Sequence, residues 1–339
     1  MSGKTVAPPT MDDIAVEAGV SQMTVSRVIR GTGKTSAEVR ERVQNAARKL
    51  GYVQNRLAMA LRDETSPLVA VVLPTLRNRV FSEVLNGAND ILSTNGVRPV
   101  FGVTEYDQAR EEELVRDLLS WRPKGLILSG LEHSMATCAA IRASGVRVAE
   151  LMDIDGDPIN VTFGLSQTEA GRVTARHMLS KGYRRFGYIG SQCGKDLRAE
   201  KRLSGFREVV REAGAQIIAE RLVDGPSSMI EGRRETAKMV GSSDRPEAIY
   251  FSNDDLAAGG IMHCLSESIS MPSELALAGF NGLPFLEALP IRLTTVETPR
   301  LEMGRRAASY IISSSPTNED VSGSVLVDLG FRLIAGDTC

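Results

Sequence analysis

From Leu68 onward the chain alternates short, uniformly apolar segments with helical patterns, and this alternation limits the fold more than any other feature. LVAVVLP, GLILSG and AIYFS lack the alternating polar residues of a strand with one solvated face. Apolar residues at helical spacing fill the intervals between such segments. This pattern is typical of parallel sheets covered by helices on both faces. The sequence therefore predicts a doubly wound α/β fold.

There are too many predicted strands for one short sheet, and the rhythm pauses near 155–165 before a helix at 166–181. We therefore predict two doubly wound subdomains, with one more strand or hairpin at 324–334. The subdomains take about 68–164 plus 295–322, and about 165–294 plus 323–339. Ligands of such sheets bind at the carboxyl ends of the strands, so the expected binding site lies between the subdomains.

A small helical bundle is predicted ahead of the α/β region. Thr10 and Asp13 resemble a capping box at the start of an apolar helical pattern over 11–18. Ser36 is placed to cap a further helix that ends at Gly51.

The segment Ala18–Gly31, AGVSQMTVSRVIRG, has the pattern of a turn followed by a short helix. Gly19 can supply the positive φ of a tight turn, and Ser21 can cap the helix. A buried stripe is formed by Val25, Val28 and Ile29. The residues off that stripe are Gln22, Met23, Ser26, Arg27 and Arg30. Such a face suits a DNA groove, although an ordinary surface helix has the same spacing.

The distribution of charge favours nucleic-acid binding by this bundle. The whole chain has a net charge of −2, but residues 18–62 contain nine Lys or Arg against two Glu. The asymmetry indicates a DNA-binding segment attached to a domain with another task. After the bundle, Asn55 can cap a helix of about eight residues, which is marginal alone and would form only against another subunit or DNA.

Signatures of catalysis, metal binding and membrane insertion are absent from the sequence. It contains no G-x-G-x-x-G after a strand, Walker A, G-x-S-x-G or H-E-x-x-H motif. Asn253-Asp254, at a strand-to-helix junction, fits a helix cap or a hydroxyl-binding carboxylate better than an acid/base pair. The four Cys and three His lack ligand spacing, so we expect no metal, no cofactor and no enzymatic activity. No signal peptide or membrane span is evident, and we expect a cytoplasmic protein without a membrane partner.

The ordered motifs resemble the LacI-type, or lactose-repressor, family of transcription regulators over nearly the whole chain. Those in the DNA-binding part are DIAVEAGVSQMTVSRVIRG, TSAEVRERVQNAARKLGY and NRLAMAL. Those in the effector part are LPTLRNRVFSEVLNG, GLILSG, RLSGF, FSNDDLAAG and LALAGFNG. Within the family, VLPTLRNRVFSEVL, LLSWRPKGLIL and VAELMD are most similar to the gluconate-operon repressor branch.

The resemblance implies a helix-turn-helix domain at 10–54, a hinge helix and linker at 55–67, and an effector-binding and dimerisation domain at 68–339. The last is similar to periplasmic sugar-binding proteins. The implied function is a homodimeric repressor of a near-palindromic operator, controlled by a small carbohydrate, with a sugar acid such as gluconate or a keto or phosphorylated relative favoured. The alternative is a periplasmic-type sugar receptor without DNA binding, which the basic N-terminal residues oppose.

The resemblance also implies roles for residues of the DNA-binding part. Gln22 and Met23 match the positions that vary operator choice, and Arg27 matches an arginine that favours guanine. Lys34 would add positive charge to the contact with the DNA backbone. A second set of polar residues would contact phosphates or cap helices. That set comprises Thr10, Ser21, Thr24, Ser26 and Asn55. In the hinge helix, Leu61 would kink the duplex and Ala58 would let two helices pack closely. At position 54 the family commonly has proline, which would fix the backbone of the turn. Gln54 leaves this turn freer.

In the effector part, Arg202 matches a ligand-holding arginine and Asp254 matches a carboxylate that accepts sugar hydroxyls. Arg202, with Arg79, could pair with the carboxylate of a sugar acid. The remaining candidates could also cap helices or pack loops. They are Thr75, Asn78, Arg79, Phe81, Asp153 and Asn281.

Overall fold

The computed structural model describes residues 8–53, 66–191, 195–313 and 324–339. The chain divides into two compact units, Met1–Glu64 and Thr65–Cys339. This division falls inside the predicted linker at 55–67. The predicted hinge positions Gln54, Asn55, Ala58 and Leu61 lie outside the described residues.

Within residues 8–53, the first unit contains three helices, α1 (Met11–Ala18), α2 (Gln22–Arg30) and α3 (Ala37–Leu50). Each begins at a side-chain cap: Thr10 forms a reciprocal capping box with Asp13, and the hydroxyls of Ser21 and Ser36 accept backbone N–H groups. Each ends at a glycine with positive φ, at 19, 31 and 51. The fully buried side chains of this bundle are Ile14, Val25 and Val43.

The second unit begins with a strand-helix series that forms its first sheet. The elements are β1 (Leu68–Leu73), α4 (Arg79–Thr94), β2 (Arg98–Val103), α5 (Gln108–Ser120), β3 (Gly125–Ser129), α6 (Met135–Ser144), β4 (Arg147–Leu151) and β5 (Val161–Gly164). A second series forms another sheet. It comprises α7 (Gln167–Ser180), β6 (Arg185–Ser191), α8 (Leu197–Glu212), β7 (Gln216–Val223), α9 (Met229–Val240), β8 (Ala248–Phe251), α10 (Asp254–Ser266) and β9 (Ala276–Ala278).

The chain then returns towards the first sheet. The returning elements are a 3₁₀ helix (Pro284–Ala288), β10 (Thr295–Glu297), α11 (Arg300–Ile312), β11 (Val325–Asp328) and β12 (Arg332–Ile334). Both main sheets are parallel, with the strand orders β2-β1-β3-β4-β5-β11 and β7-β6-β8-β9. The predicted doubly wound architecture with two subdomains is confirmed.

Alternate residues of the central strands enter cores on opposite faces of each sheet. In β1, Val69 and Val71 pack in the cluster that contains α4 and α11, whereas Ala70 and Val72 pack with α5 and α6. In the second sheet, Tyr250 of β8 faces α7 and α8, and its neighbours in the strand face α9 and α10. Helices on both faces explain why these strands are apolar throughout.

The C-terminal segment differs from the predicted division, which assigned 323–339 to subdomain two and suggested one strand or hairpin at 324–334. β11 pairs in parallel with β5 of the first sheet, where the amide of Val325 donates to Asn160 O at 2.8 Å. β12 forms a separate antiparallel ribbon with β10. The two short strands join different partners because β5 leaves one sheet edge open to pairing. Thr338 then bonds with Leu277 of β9, so the last residues do lie in subdomain two.

Three pairs of helices approach so closely that each helix carries a glycine at the contact. The pairs are Gly87 with Gly304, Gly171 with Gly205, and Gly232 with Gly259. A Cβ atom at any of the six would lie about 2 Å from a carbonyl oxygen of the partner helix. The backbones of α4 and α11, of α7 and α8, and of α9 and α10 therefore pack directly on each other. Among the described residues, no helix is long and apolar enough to span a membrane.

Candidate functional site

The exposed face of α2 in the first unit carries the three side chains predicted to contact base edges. Val25 and Val28 are buried beneath it, while Gln22, Met23 and Arg27 are exposed. The side chain of Met23 is 64% exposed, and its Sδ lies 3.4 Å from Arg27 Nη2. A flexible apolar side chain, an amide and a guanidinium thus share one solvated surface, which has the chemistry for major-groove contact.

Most of the hydroxyl groups predicted to contact phosphates or cap helices have local hydrogen bonds. Thr10 and Ser21 cap α1 and α2. Ser21 Oγ lies 2.9 Å from Thr24 Oγ1, and Ser26 Oγ accepts a hydrogen bond from Arg30. Capping therefore accounts for Thr10 and Ser21 within the bundle itself, and Lys34 is an exposed cation.

In the second unit, a cleft opens where the carboxyl ends of β1, β2 and β3 face the start of α8. Among the side chains that line this cleft, Tyr106 and Ser129 from subdomain one and Arg198 from subdomain two can donate hydrogen bonds to a ligand. The predicted location of the ligand site, between the subdomains and beyond the strand ends, therefore coincides with a cleft in the structure.

The loops that follow three strands place non-glycine residues in left-handed conformations. After β2, Glu105 and Tyr106 have φ values of 53° and 61°. Met152 after β4 has a φ of 79°, and Asn281 after β9 has a φ of 118°. Such conformations are costly without glycine and persist where the surrounding structure enforces them, commonly at binding sites. Burial and the Asp196 carboxylate raise the pKa of Tyr106 above its usual range, so its hydroxyl remains protonated.

Arg202 is the predicted ligand-holding arginine, and it is only 6% exposed. Its Nη1 donates to Gln167 Oε1 at 2.5 Å and its Nη2 donates to Ser252 O at 3.1 Å. The guanidinium lies 3.9 Å from the centroid of the Phe280 ring, and Nε is buried without a hydrogen-bond partner among the described residues. Arg202 therefore ties α8 to α7 and β8 while retaining unused donors.

Asp153 and Lys201 connect the subdomains through a buried ion pair. Lys201 on α8 donates to Asp153 Oδ2 at 2.6 Å, to Glu132 Oε1, and to Asp155 O at 2.9 Å. Burial raises the pKa of Asp153, which the ammonium of Lys201 opposes. Burial would raise the pKa of Glu132 too, but Lys201 outweighs it and lowers that pKa. The predicted ligand residue Asp153 is thus already paired with a cation that sequence reasoning missed.

Asp254 is fully buried and both of its carboxylate oxygens are occupied. Oδ2 accepts from the backbone N–H of Leu283 at 2.9 Å, and Oδ1 accepts from Thr295 Oγ1 at 2.7 Å. Burial raises the pKa of Asp254 to about 7, although these two hydrogen bonds oppose the shift. These two hydrogen bonds hold the returning chain, and the contact of Asp254 with a sugar hydroxyl stays a prediction.

The remaining predicted residues surround the cleft or support its loops. Thr75 accepts from the backbone N–H of Arg77, and Asn78 caps α4. Arg79 lies over the ring of Phe285, whereas Phe81 lies beneath Arg198, 5.7 Å from Cζ to the ring centroid. Arg79 and Arg202 thus stack on different aromatic rings, Phe285 and Phe280. Asn281 accepts at its carbonyl from Arg300, a buried residue that also pairs with Glu83.

Arg198, Lys201, Tyr106 and Arg300 were missed by sequence reasoning. The spacing of Arg198 and Arg202, four residues apart on one helix, was an available signal because such residues share a face. A further buried pair supports the loop after β3, where His133 Nδ1 lies 2.7 Å from Glu111 Oε1 and Nε2 lies 3.4 Å from Glu150 Oε1. Burial alone would lower the pKa of His133, but the two carboxylates raise it to about 10.

Comparisons with known proteins identify both parts of the chain. A family model for bacterial regulatory proteins of the lacI family matches residues 10–55, and one for a periplasmic binding protein-like domain matches 175–339. The HTH-type transcriptional regulator GntR of Pseudomonas aeruginosa is 36% identical over 99% of this chain and 97% of its own length. GntR of Escherichia coli K12 is 31% identical over 97% of this chain and 98% of its own length.

Solved structures agree in fold. A LacI-family transcriptional regulator from Silicibacter pomeroyi has 42% identity and a TM-score of 0.91, covering 98% of this chain and 99% of that one. The lac repressor dimer bound to operator and the anti-inducer ONPF has 23% identity and a TM-score of 0.80, covering 98% of this chain and 99% of that one. The second similarity concerns the fold alone.

Proposed function

Because this chain belongs to the LacI family of DNA-binding transcriptional regulators, we propose that it is a homodimeric repressor released from operator DNA by a sugar acid. The observation that carries the proposal is the cleft between the subdomains. Arg198 lines this cleft from α8, and Arg202 lies one helical turn further along the same helix. The similarity to regulators named GntR supports a sugar acid such as gluconate as the effector class.

DNA recognition is assigned to α2. Gln22 would bind adenine through its amide, Arg27 would bind guanine, and Met23 would contact a thymine methyl group. Exposure of all three on one face supports this assignment. The hinge residues Asn55, Ala58 and Leu61 would enter the minor groove of a near-palindromic operator, as the family resemblance implies. A receptor without DNA contact is not favoured, because residues 10–55 match the DNA-binding family model.

Effector control would act through the ion pair and hydrogen bonds that join the subdomains. A ligand changes DNA affinity only as far as it binds the two conformations differently. Contacts such as Arg198 with Ser129, and Lys201 with Asp153, cross between the subdomains and would differ between open and closed forms. Ligand binding beside them would therefore bias the spacing of the two hinge segments in a dimer.

The test combines DNA binding with ligand screening. Fluorescence anisotropy with pseudo-palindromic promoter DNA should show salt-sensitive, sequence-dependent binding by the wild type. Addition of gluconate or a related sugar acid should weaken that binding, whereas neutral sugars of equal length should not. An absence of sequence preference would overturn the repressor assignment. Release by a neutral sugar alone would overturn the sugar-acid assignment.

A further inference from the structure

We infer that Arg198, rather than Arg202 with Arg79, binds the carboxylate that separates sugar acids from neutral sugars in this cleft. The inference rests on the proposed function, and it assigns a specificity-determining residue to the same site. It follows from three features of the cleft: how Arg198 is held, how the nearby charges are paired, and what Arg202 and Arg79 contact.

Arg198 is held in place from both subdomains. It lies in the first turn of α8, and its Nη1 donates to Ser129 Oγ at 2.6 Å from the end of β3. The ring of Phe81, from α4, lies 5.7 Å from the guanidinium carbon. An arginine fixed in this way loses little conformational freedom when it binds an anion, which favours a strong two-point contact.

The acidic groups around the cleft are occupied elsewhere. Lys201 pairs with Glu132 and Asp153, and His133 pairs with Glu111. Asp196 is the exception, because its Oδ1 lies 3.7 Å from Arg198 Nε, within ion-pair distance, while it also caps α8 through the backbone N–H of Ala199.

Among the described residues, Arg198 therefore keeps most of its hydrogen-bond donors for a ligand, and Asp196 offsets only part of its charge. The amino-terminal end of α8 adds a positive potential at the same place.

Arg202 and Arg79 are less suited to this contact. Arg202 directs both Nη atoms to the protein, at Gln167 and Ser252, and stacks its plane on Phe280. Arg79, the first residue of α4, lies over the ring of Phe285 in the 3₁₀ helix that follows β9. Arg202 would then hold α8 against α7 and the end of β8. Tyr106, whose hydroxyl remains protonated, lies beside Arg198 to donate to the same anion or to a ligand hydroxyl.

The test compares two ligands of one carbon skeleton, D-gluconate and D-glucitol, in which CH₂OH replaces the carboxylate. Their affinities are measured by calorimetry for the wild type, R198M, R198K and R207M. Arg207 is the matched control because it is a partly exposed arginine on α8 that pairs with Glu220. We expect R198M to weaken gluconate binding by at least about tenfold, since a charge-assisted contact is lost. R198K should weaken it less, and R207M should leave it unchanged.

Binding of the neutral ligand distinguishes the loss of a contact with the carboxylate from a general disruption of the binding site. Glucitol should bind R198M as it binds the wild type. Equal gluconate affinity in R198M and wild type overturns the inference and leaves the proposed function standing. Equal loss of both ligands in R198M also overturns it. If no sugar acid binds the wild type, both the inference and the proposed effector class fail. Should R198M not fold, R198K decides: it should lower gluconate affinity and leave glucitol affinity unchanged, and gluconate affinity equal to that of R207M overturns the inference.

Discussion

The ammonium of Lys201 lies 2.6 Å from Oδ2 of Asp153, and the carboxyl side chain of Asp153 is fully buried. Lys201 belongs to α8 of subdomain two, whereas Asp153 follows β4 of subdomain one. A buried carboxylate without its cation is costly, because neither water nor another charge replaces the lost partner. Burial of the Asp153 carboxylate at this contact between the subdomains therefore depends on Lys201.

Replacing Lys201 with methionine should lower the free energy of unfolding by about 3 kcal/mol, since it leaves Asp153 buried and unpaired. The matched control is R332M, which breaks the exposed pair of Arg332 with Glu297 and should cost less than about 1 kcal/mol. Urea unfolding followed by circular dichroism measures both. Adding D153N to K201M should recover part of the loss. Similar losses for K201M and R332M would contradict a structural role of the pair.

Close packing of α7 on α8 predicts a second effect. A Cβ atom on Gly171 would lie 1.9 Å from the carbonyl oxygen of Arg202, so G171A must push the helices apart. We expect a loss of about 3 kcal/mol of stability, together with weaker ligand binding because Arg202 moves. G225A is the control, since nothing lies within 4 Å of a Cβ there. A G171A protein as stable as G225A would show that the contact relaxes freely.

The buried Asp254 predicts a pH dependence of stability. Its pKa is raised from 3.8 to about 7, so the folded state holds the proton more tightly than the unfolded chain does. Its contribution to the free energy of unfolding is therefore largest below pH 4 and is lost as the pH rises to 7.

D254N should remove this dependence, because its carbonyl can accept from the Leu283 N–H and its amide can donate to Thr295. Urea titrations at pH 5 and pH 7.5 compare the two proteins. Asp337 supplies the control because it is exposed and its pKa is lowered by Arg292, so it is ionised throughout this range. D337N should retain the wild-type change between the two pH values. A D254N protein with the wild-type change would refute the assignment to Asp254.

Operator preference should depend on two positions of α2. Exchanging the two residues, as in the double variant Q22M/M23Q, should shift the preferred bases of the operator. Each altered base contact should change the binding free energy by about 1–3 kcal/mol. Selection from a randomised half-site library measures the shift. K34A is the comparison, since loss of one backbone cation should weaken all sequences equally and reduce the salt slope by about one. Gluconate affinity should be unchanged in both proteins. An unaltered preference after the exchange would place base recognition elsewhere.

Local sequence features predicted the first unit well because its helices begin and end through neighbouring residues. Thr10, Ser21 and Ser36 each bond to an N–H within three residues, so their role is visible in the order of the chain. The same is true of the strand-helix alternation in the second unit. The location of the cleft follows from that alternation, since parallel strands end at one edge.

The contacts within the cleft could not be obtained in this way. Arg198 meets Ser129 across 69 positions of sequence, and Lys201 meets Asp153 across 48. No local pattern specifies which polar side chains will meet when two sheets face each other. Asp254 is a further example, because its hydrogen bonds to Leu283 and Thr295 span 29 and 41 positions of sequence. β11 was misplaced because a four-residue strand carries little information about which distant edge it joins.

The pairing of β11 with β5 also has a consequence for biosynthesis. Residues 161–164 leave the ribosome long before residues 325–328, yet the first sheet is complete only when both are present. During translation the β5 edge stays open, and an open edge is a site for incorrect association. A chain cut short before Val325 retains its DNA-reading helices but lacks a finished sensor. Completion of the first sheet therefore depends on synthesis of the chain through residue 328.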